Sequence, residues 1–312
     1  MIYTVTLNPA IDKTVVIPDF AAGSVNRIQS LRIDAGGKGI NVTKCLQSLG
    51  TESIAAALLG GSSGEKIREM LAFQSIRTLT VAVPGETRTN LKIIDPTGHS
   101  NTDINEPGPA VDLGILEALK IRIGEAVRPG DAVILSGSLP KGAGVTTYQH
   151  WCEYFQSLGA LVYLDADGEA MKAGIQAKPY MVKPNDEELA RLLGKPMQSM
   201  EDLLQAGMGL VESGIEEVVI SLGAKGALFL NRDSIHLAQA LTIPVRSTVG
   251  AGDSMVAAMA YSKEKNLPRE EQIRLAVAMG AASVMCDGTQ APEKELVWEL
   301  AKQVNIQEVE RK

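Results

Sequence analysis

Short, unbroken apolar runs alternate along the chain with longer segments in which apolar residues return every three or four positions. The runs at 2–7, 53–58, 132–136, 161–165, 180–182 and 218–221 read as buried strands. Between them, 39–49, 112–126, 145–157 and 186–193 carry helical spacing, as in Val42, Leu46 and Leu49. Strands and helices in alternation predict an α/β fold, a mostly parallel sheet joined by right-handed crossovers. From about Gly250 the pattern turns helical, with segments at 250–265, 269–286 and 293–303. No repeat, low-complexity tract or long linker interrupts it, so residues 1–312 read as one domain.

Two stretches break the rhythm. Residues 14–17 with 28–33, and 88–94 with 101–104, read as antiparallel pairs, the second closed by the turn Asp95-Pro-Thr-Gly98. Alternation within 88–94 places Arg88, Asn90 and Lys92 on one face and Thr89, Leu91 and Ile93 on the other. A small two-faced sheet of this kind predicts a lid, built from about 13–34 and 86–106, whose apolar face lies against something else.

Aromatic residues supply only 4% of the chain, so the core must be made of Ala, Val, Ile, Leu and Met, which suits helices on a buried parallel sheet. Lys and Arg number 30 against 37 Asp and Glu, a balance of −7 with no generic attraction for nucleic acid or an anionic membrane. The longest apolar runs are too short to span a bilayer. Cys45, Cys152 and Cys286 are scattered, and His99, His150 and His236 are isolated, so neither a disulfide framework nor a histidine-based metal site or triad is supported. With a strand-like run from the first residues and no basic leader before it, a cytoplasmic location is expected. No Gly-x-Gly-x-x-Gly follows a strand and no P-loop occurs, so a nucleotide would have to be held in another way.

Five segments can carry chemistry. Ser247-Thr-Val-Gly-Ala-Gly-Asp-Ser-Met255 enters a helix, and Gly250 and Gly252 let several N–H groups converge where the helix dipole favours an anion. Asp253 stands beside that point, as phosphoryl transfer requires: N–H groups for the migrating charge and a carboxylate for the attacking hydroxyl's proton. A structural glycine turn capped by an aspartate reads equally well in isolation. Ala35-Gly-Gly-Lys-Gly-Ile-Asn41 is a second glycine-rich helix entry, with donors at Lys38 and Asn41, and reads equally well as a tight turn into an ordinary helix. Thr6-Leu-Asn-Pro-Ala-Ile-Asp12 sets a carboxylate after the first strand, where open α/β sheets bind ligands, although a lone aspartate there is more often a turn residue. In Lys183-Pro-Asn-Asp-Glu-Glu188, Asn185 and Glu188 have the spacing of a capping box; the other reading puts them near Mg²⁺ waters and phosphates. Ser221-Leu-Gly-Ala-Lys-Gly226 is either a plain hairpin or a loop over a nucleotide.

Taken together and in this order, these segments resemble those of the ribokinase-like (PfkB-type) carbohydrate kinases, over essentially the whole chain. The resemblance implies a central sheet between helices, a β-lid over a sugar, and ATP and Mg²⁺ as partners. It implies Asp253 as catalytic base and Gly250, Ala251 and Gly252 as anion hole. Asp12, Gly37, Lys38 and Asn41 fall on sugar-binding positions. Lys183, Asn185, Ser221, Leu222, Gly223, Ala224, Lys225, Gly226 and Gly252 fall on nucleotide-binding ones, with Asn185 and Glu188 reaching Mg²⁺ through water. The segments at 6–12, 136–140 (with Ser138) and 182–185 resemble the branch acting on already phosphorylated hexoses. Arg27 and Arg88, at the lid, supply the fork-shaped donors that a phosphate dianion calls for. Ser247-Thr248 and Thr89-Asn-Leu-Lys92 favour fructose 1-phosphate as the acceptor, giving fructose 1,6-bisphosphate, with tagatose 6-phosphate as the alternative. A non-catalytic sugar-phosphate-binding protein is the competing class, which an intact Asp253 disfavours. A homodimer through the lid is the expected assembly.

Overall fold

The computed structural model describes residues 1–310. The fully buried β1 (Ile2–Thr6) leads to two strands of the lid, β2 (Ala10–Val16) and β3 (Ser30–Gly36), before α1 (Lys38–Ser48) returns to the body. Then come β4 (Ser53–Leu59), α2 (Gly61–Phe73) and β5 (Arg77–Ala82), followed by the other lid strands, β6 (Arg88–Asp95) and β7 (Ser100–Asn105). The βα rhythm resumes with α3 (Leu113–Ala126), β8 (Ala132–Ser136), α4 (Thr147–Ser157), β9 (Leu161–Asp165), α5 (Gly168–Gly174) and β10 (Met181–Val182). After α6 (Asp186–Leu193) and α7 (Met200–Glu212), β11 (Glu217–Ser221), β12 (Ala227–Leu230) and β13 (Ile235–Ala238) form a meander. The chain closes with α8 (Ala251–Glu264), α9 (Arg269–Val284), α10 (Lys294–Ala301) and β14 (Ile306–Glu308).

The main sheet has the order β14-β13-β12-β11-β10-β9-β8-β1-β4-β5, parallel from β5 to β11 and antiparallel beyond. Its middle strands are covered on both faces, which is why they read as continuous apolar runs. Val133 and Leu135 pack with Leu119 and Phe155 on one face, while Ile134 packs with Val42, Leu46 and Val256 on the other. Among the described residues no helix is long and apolar enough to cross a membrane.

The helical pattern left out α2, α5 and α7. Helix α2 begins Gly-Ser-Ser-Gly, a poor helix-forming start, and its cap is not local: Glu86 accepts from the N–H groups of Ser62 and Ser63, both at 3.0 Å. In α7 the buried face is diluted by Ala206 and Gly207, although Ser199 and Asp202 form a capping box at its start.

The lid is a four-stranded sheet, β3-β2-β6-β7. Its two outer pairs are antiparallel, and the central β2–β6 pair is parallel. The register sets Asp12 beside Asn90 and Asp34 on one face. On the other face, part of the apolar surface lies against an element outside the lid and part packs within the lid itself. Val15, Ile17 and Ile93 are buried within this chain, with Leu91 and Phe20 packed against them, while Ile11 and Ala35 pack with Ile67 and Leu71 of α2. At the periphery Leu31, at 53% exposure, and Ile104, at 52%, are left open, as are Val25 and Ile28 on the connection between β2 and β3.

Candidate active site

The parallel strands β4 and β5 extend the sheet to one side of β1, and β8 to β11 to the other, so the strand order reverses between β1 and β8. Ligands of open α/β sheets bind outside the carboxyl ends of the strands at such a point. Here Asn8, just after β1, donates from Nδ2 to Oγ of Ser138, just after β8, at 3.3 Å.

Two helix starts converge on this crevice. Gly250, the N-cap of α8, has φ 84°, a left-handed conformation that costs glycine little, and no side chain caps the helix. The first N–H groups of α8 are therefore available to an outside acceptor. At Gly252 a Cβ would lie 2.7 Å from Nζ of Lys183, so only glycine lets that ammonium approach the helix start. Asp253 follows, buried, with Oδ2 accepting from Nδ2 of Asn41 at 2.8 Å. Asn41 belongs to α1, which also lacks a side-chain cap and starts from Gly37.

The charges form one cluster. Nζ of Lys38 lies 3.5 Å from both carboxylate oxygens of Asp165, and Nζ of Lys183 lies 3.6 Å from Oδ1. Burial alone would raise the Asp165 carboxyl, but the ammonium groups of Lys183 and Lys38 outweigh it and hold it below the usual carboxylate range. Asp165 in turn keeps Lys38 protonated well above its ordinary range, against burial. Asp253 goes the other way. Burial pushes its pKa up, Asp165 adds to the rise, and Lys38 pulls back, leaving it at about 6.

On the lid, Asn90 donates to Asp12 at 2.9 Å, and burial raises the Asp12 carboxyl despite that bond and nearby Lys44. Arg88 turns its fork inward: Nε and Nη2 donate to the carbonyl of Asn8 at 3.2 and 3.0 Å, and Nη1 to that of Glu106 at 3.2 Å. Burial lowers its pKa. Arg27 is exposed, without a hydrogen bond or ion pair among the described residues. The two arginines thus differ: one braces the crevice wall and the other is free.

Beyond Lys183, Asn185 and Glu188 form the full capping box of α6, with bonds of 2.7 and 2.9 Å. One oxygen of each is thereby used, and Oε1 of Glu188 lies outside the box. Ser221 donates its N–H to the carbonyl of Pro184 at 3.1 Å, which sets the turn Leu222, Gly223, Ala224, Lys225 and Gly226 beside this helix start. That turn is a hairpin, closed by the N–H of Leu222 on the carbonyl of Gly226 at 2.8 Å and continued by β12.

Asp165 and Asn8 were missed by sequence reasoning. The only signal for Asp165 was a charge closing an apolar strand at its carboxyl end; for Asn8 it was a place in the 6–12 segment just after the first strand, its partners lying far along the chain. Among the described residues, Thr6 Oγ1, Asn8 Oδ1, Asn41 Oδ1, Asn90 Oδ1 and Ser136 Oγ are buried without a hydrogen-bond partner. Such atoms are costly unless a polar ligand meets them, and these five gather around the one crevice.

Residues 5–296 match the pfkB family of carbohydrate kinases. The chain is 37% identical over 306 residues to 1-phosphofructokinase of Rhodobacter capsulatus, covering 98% of this chain and 97% of that one. Identity to 1-phosphofructokinase of Bacillus subtilis is 35% over 306 residues, covering 98% and 99%. Phosphofructokinase-2 of Escherichia coli, solved with substrates and products, superposes with a TM-score of 0.93 at 30% identity, over 97% of this chain and 98% of that one. A tetrameric inhibited form of that enzyme has a TM-score of 0.90, 30% identity and the same coverage.

Proposed function

Because the chain belongs to the pfkB family of carbohydrate kinases, we propose that it transfers the γ-phosphoryl group of ATP to the free primary hydroxyl of D-fructose 1-phosphate, giving D-fructose 1,6-bisphosphate. The observation that carries this reading is a buried carboxylate, Asp253, placed in the first turn of a helix whose N–H groups no side chain caps. A base beside an anion hole serves group transfer to a hydroxyl and has no use in a protein that only binds.

Asp253 accepts the proton of the attacking hydroxyl at its carboxylate, with Asn41 fixing the orientation of that group. Backbone N–H groups at Gly250, Ala251 and Gly252 stabilise the charge on the migrating phosphoryl group. Asp12 and Asn90 on the lid, with Asn8 and Ser138 below, orient the sugar hydroxyls, and Arg27 and Arg88 favour an acceptor that already carries a phosphate. Lys183, Gly252 and the 221–226 turn hold the nucleotide phosphates, and Lys38 serves the sugar side. Mg²⁺ fits this donor set only as a largely hydrated ion, because Asn185 and Glu188 offer little beyond their capping bonds and no cluster of three acidic, His or Cys side chains occurs among the described residues. Held there through water, it would neutralise phosphate charge. A second copy of the chain covers Leu31 and Ile104 at the rim of the lid.

The test is steady-state ADP release on fructose 1-phosphate, fructose 6-phosphate and tagatose 6-phosphate side by side. The highest kcat/KM is expected on fructose 1-phosphate. A clear preference for tagatose 6-phosphate would reassign the acceptor, and no release with any sugar phosphate would leave a binding protein.

A further inference from the structure

We propose that Asp165 is a positioning residue, holding Lys38 and Lys183 together beside the start of α8 and competing with Asp253 for the charge of Lys38. The inference rests on the kinase reading above and adds to it how the cluster is balanced.

The geometry is specific. Asp165 ends β9, flanked by β8 and β10, and is 1% exposed. Its two cations arrive from different elements, Lys38 from the first residue of α1 and Lys183 from the residue after β10. Separations of 3.5 and 3.6 Å exceed the 2.7–2.9 Å typical of a charge-assisted N⁺–H···O⁻ bond. The carboxylate tethers the two ammonium groups through long contacts, Lys38 donating to Oδ1, and each ammonium keeps further N–H groups for another anion. Without it, two ammonium groups would face one another in a buried site and repel. Lys183 is also held against Gly252, so a shift at Asp165 is felt at the anion hole.

Asp165 is not itself a proton acceptor of use near neutral pH, because its cations hold it ionised. Its influence on the base is indirect. The groups that bear on Asp253 are Lys38 and Cys45 from α1, Asp165 from β9, and Lys183 after β10. Removing the charge of Asp165 takes away a like charge and leaves Lys38 to Asp253 alone. Both changes favour the ionised base.

Asp165→Asn therefore separates two quantities that a merely structural role would move together. In the full-length enzyme, kcat is expected to fall by about 10²-fold, the cost of displacing positioning groups by about 1 Å. Meanwhile the acid limb of kcat/KM moves to lower pH than in the wild type. Asp165→Glu keeps the charge but displaces it, so kcat falls while the acid limb stays. A limb that does not move in Asp165→Asn overturns the proposal, and so does an undiminished kcat in either variant. If Asp165→Asn does not fold, Asp165→Glu decides alone by its kcat. Absence of ADP release from the wild type would instead overturn the kinase reading. In that case a ¹³C-carboxyl NMR titration of Asp253 in the unliganded proteins still decides, since Asp165→Asn must lower its midpoint and an unchanged midpoint sinks the idea.

Discussion

Nδ2 of Asn41 donates to Oδ2 of Asp253 at 2.8 Å, across 212 positions of sequence, and so joins the first turns of α1 and α8. Each helix starts on a glycine-rich turn with no side-chain cap. Two motifs that read equally well as ordinary turns are thus the two halves of one crevice, with the buried carboxylate between them.

The first consequence concerns pH. Asp253 acts as a base only when ionised, and burial sets its pKa at about 6. The log of kcat/KM for fructose 1-phosphate is expected to fall with unit slope as pH drops below about 6 and to level off above it. A profile flat down to pH 4.5 would mean that Asp253 is not the titrating base.

The same shift predicts a stability cost. The carboxyl is raised from 3.8 to about 6 in the folded state, so ionisation disfavours folding. The penalty is absent when both states are protonated, grows as pH rises from about 4 to about 6, and is complete above that. Two pKa units correspond to about 3 kcal/mol. Asp253→Asn should therefore raise the Tm at pH 8 by several degrees, and the gain should shrink as pH falls toward 4. A variant that melts below wild type at pH 8 would show that the ionised carboxylate stabilises the fold.

Arg27 and Arg88 should separate. A charge-assisted hydrogen bond contributes about 1.5–3 kcal/mol, so each Arg→Ala change should lower kcat/KM for fructose 1-phosphate roughly 10–150-fold and leave the slow rate on fructose nearly unchanged. Only Arg88→Ala should also lower the Tm, because Arg88 is bonded to the carbonyls of Asn8 and Glu106. Equal damage to both sugars would show that these side chains do not read the phosphate.

The rim of the lid gives a prediction about assembly. Leu31 and Ile104 sit on strands flanking the buried Val15 and Ile93 pairs, and both are more than half exposed. Sedimentation at micromolar concentration is expected to show a dimer that Leu31→Glu converts to monomer. A wild type that is monomeric at that concentration contradicts the lid contact.

Much of this architecture is legible in the sequence, for physical reasons that also mark where legibility ends. Buried parallel strands such as 132–136 keep unbroken apolar runs, and 250–253 and 185–188 keep their chemistry within a few residues. What stayed hidden depends on distant partners. Helix α2 draws its cap from Glu86, and Asp12 meets Asn90 78 positions away, through the parallel β2–β6 junction. Asp165 is one charge at a strand end until Lys38 and Lys183 are brought to it. The sequence also left Asn185 and Glu188 open between cap and metal site; the cap is formed, and a hydrated ion beside it is compatible with that.

The most direct test is the turnover of Asp253→Asn with ATP and fructose 1-phosphate, measured beside its ATP affinity. Amide for carboxylate keeps the shape of the side chain and an acceptor for Asn41. The variant is expected to fold, to bind ATP as the wild type does, and to lose roughly 10²–10⁴-fold in kcat, the usual contribution of a general base. Turnover close to that of the wild type, with ATP affinity intact, would contradict the assignment of Asp253 as the group that takes the hydroxyl proton.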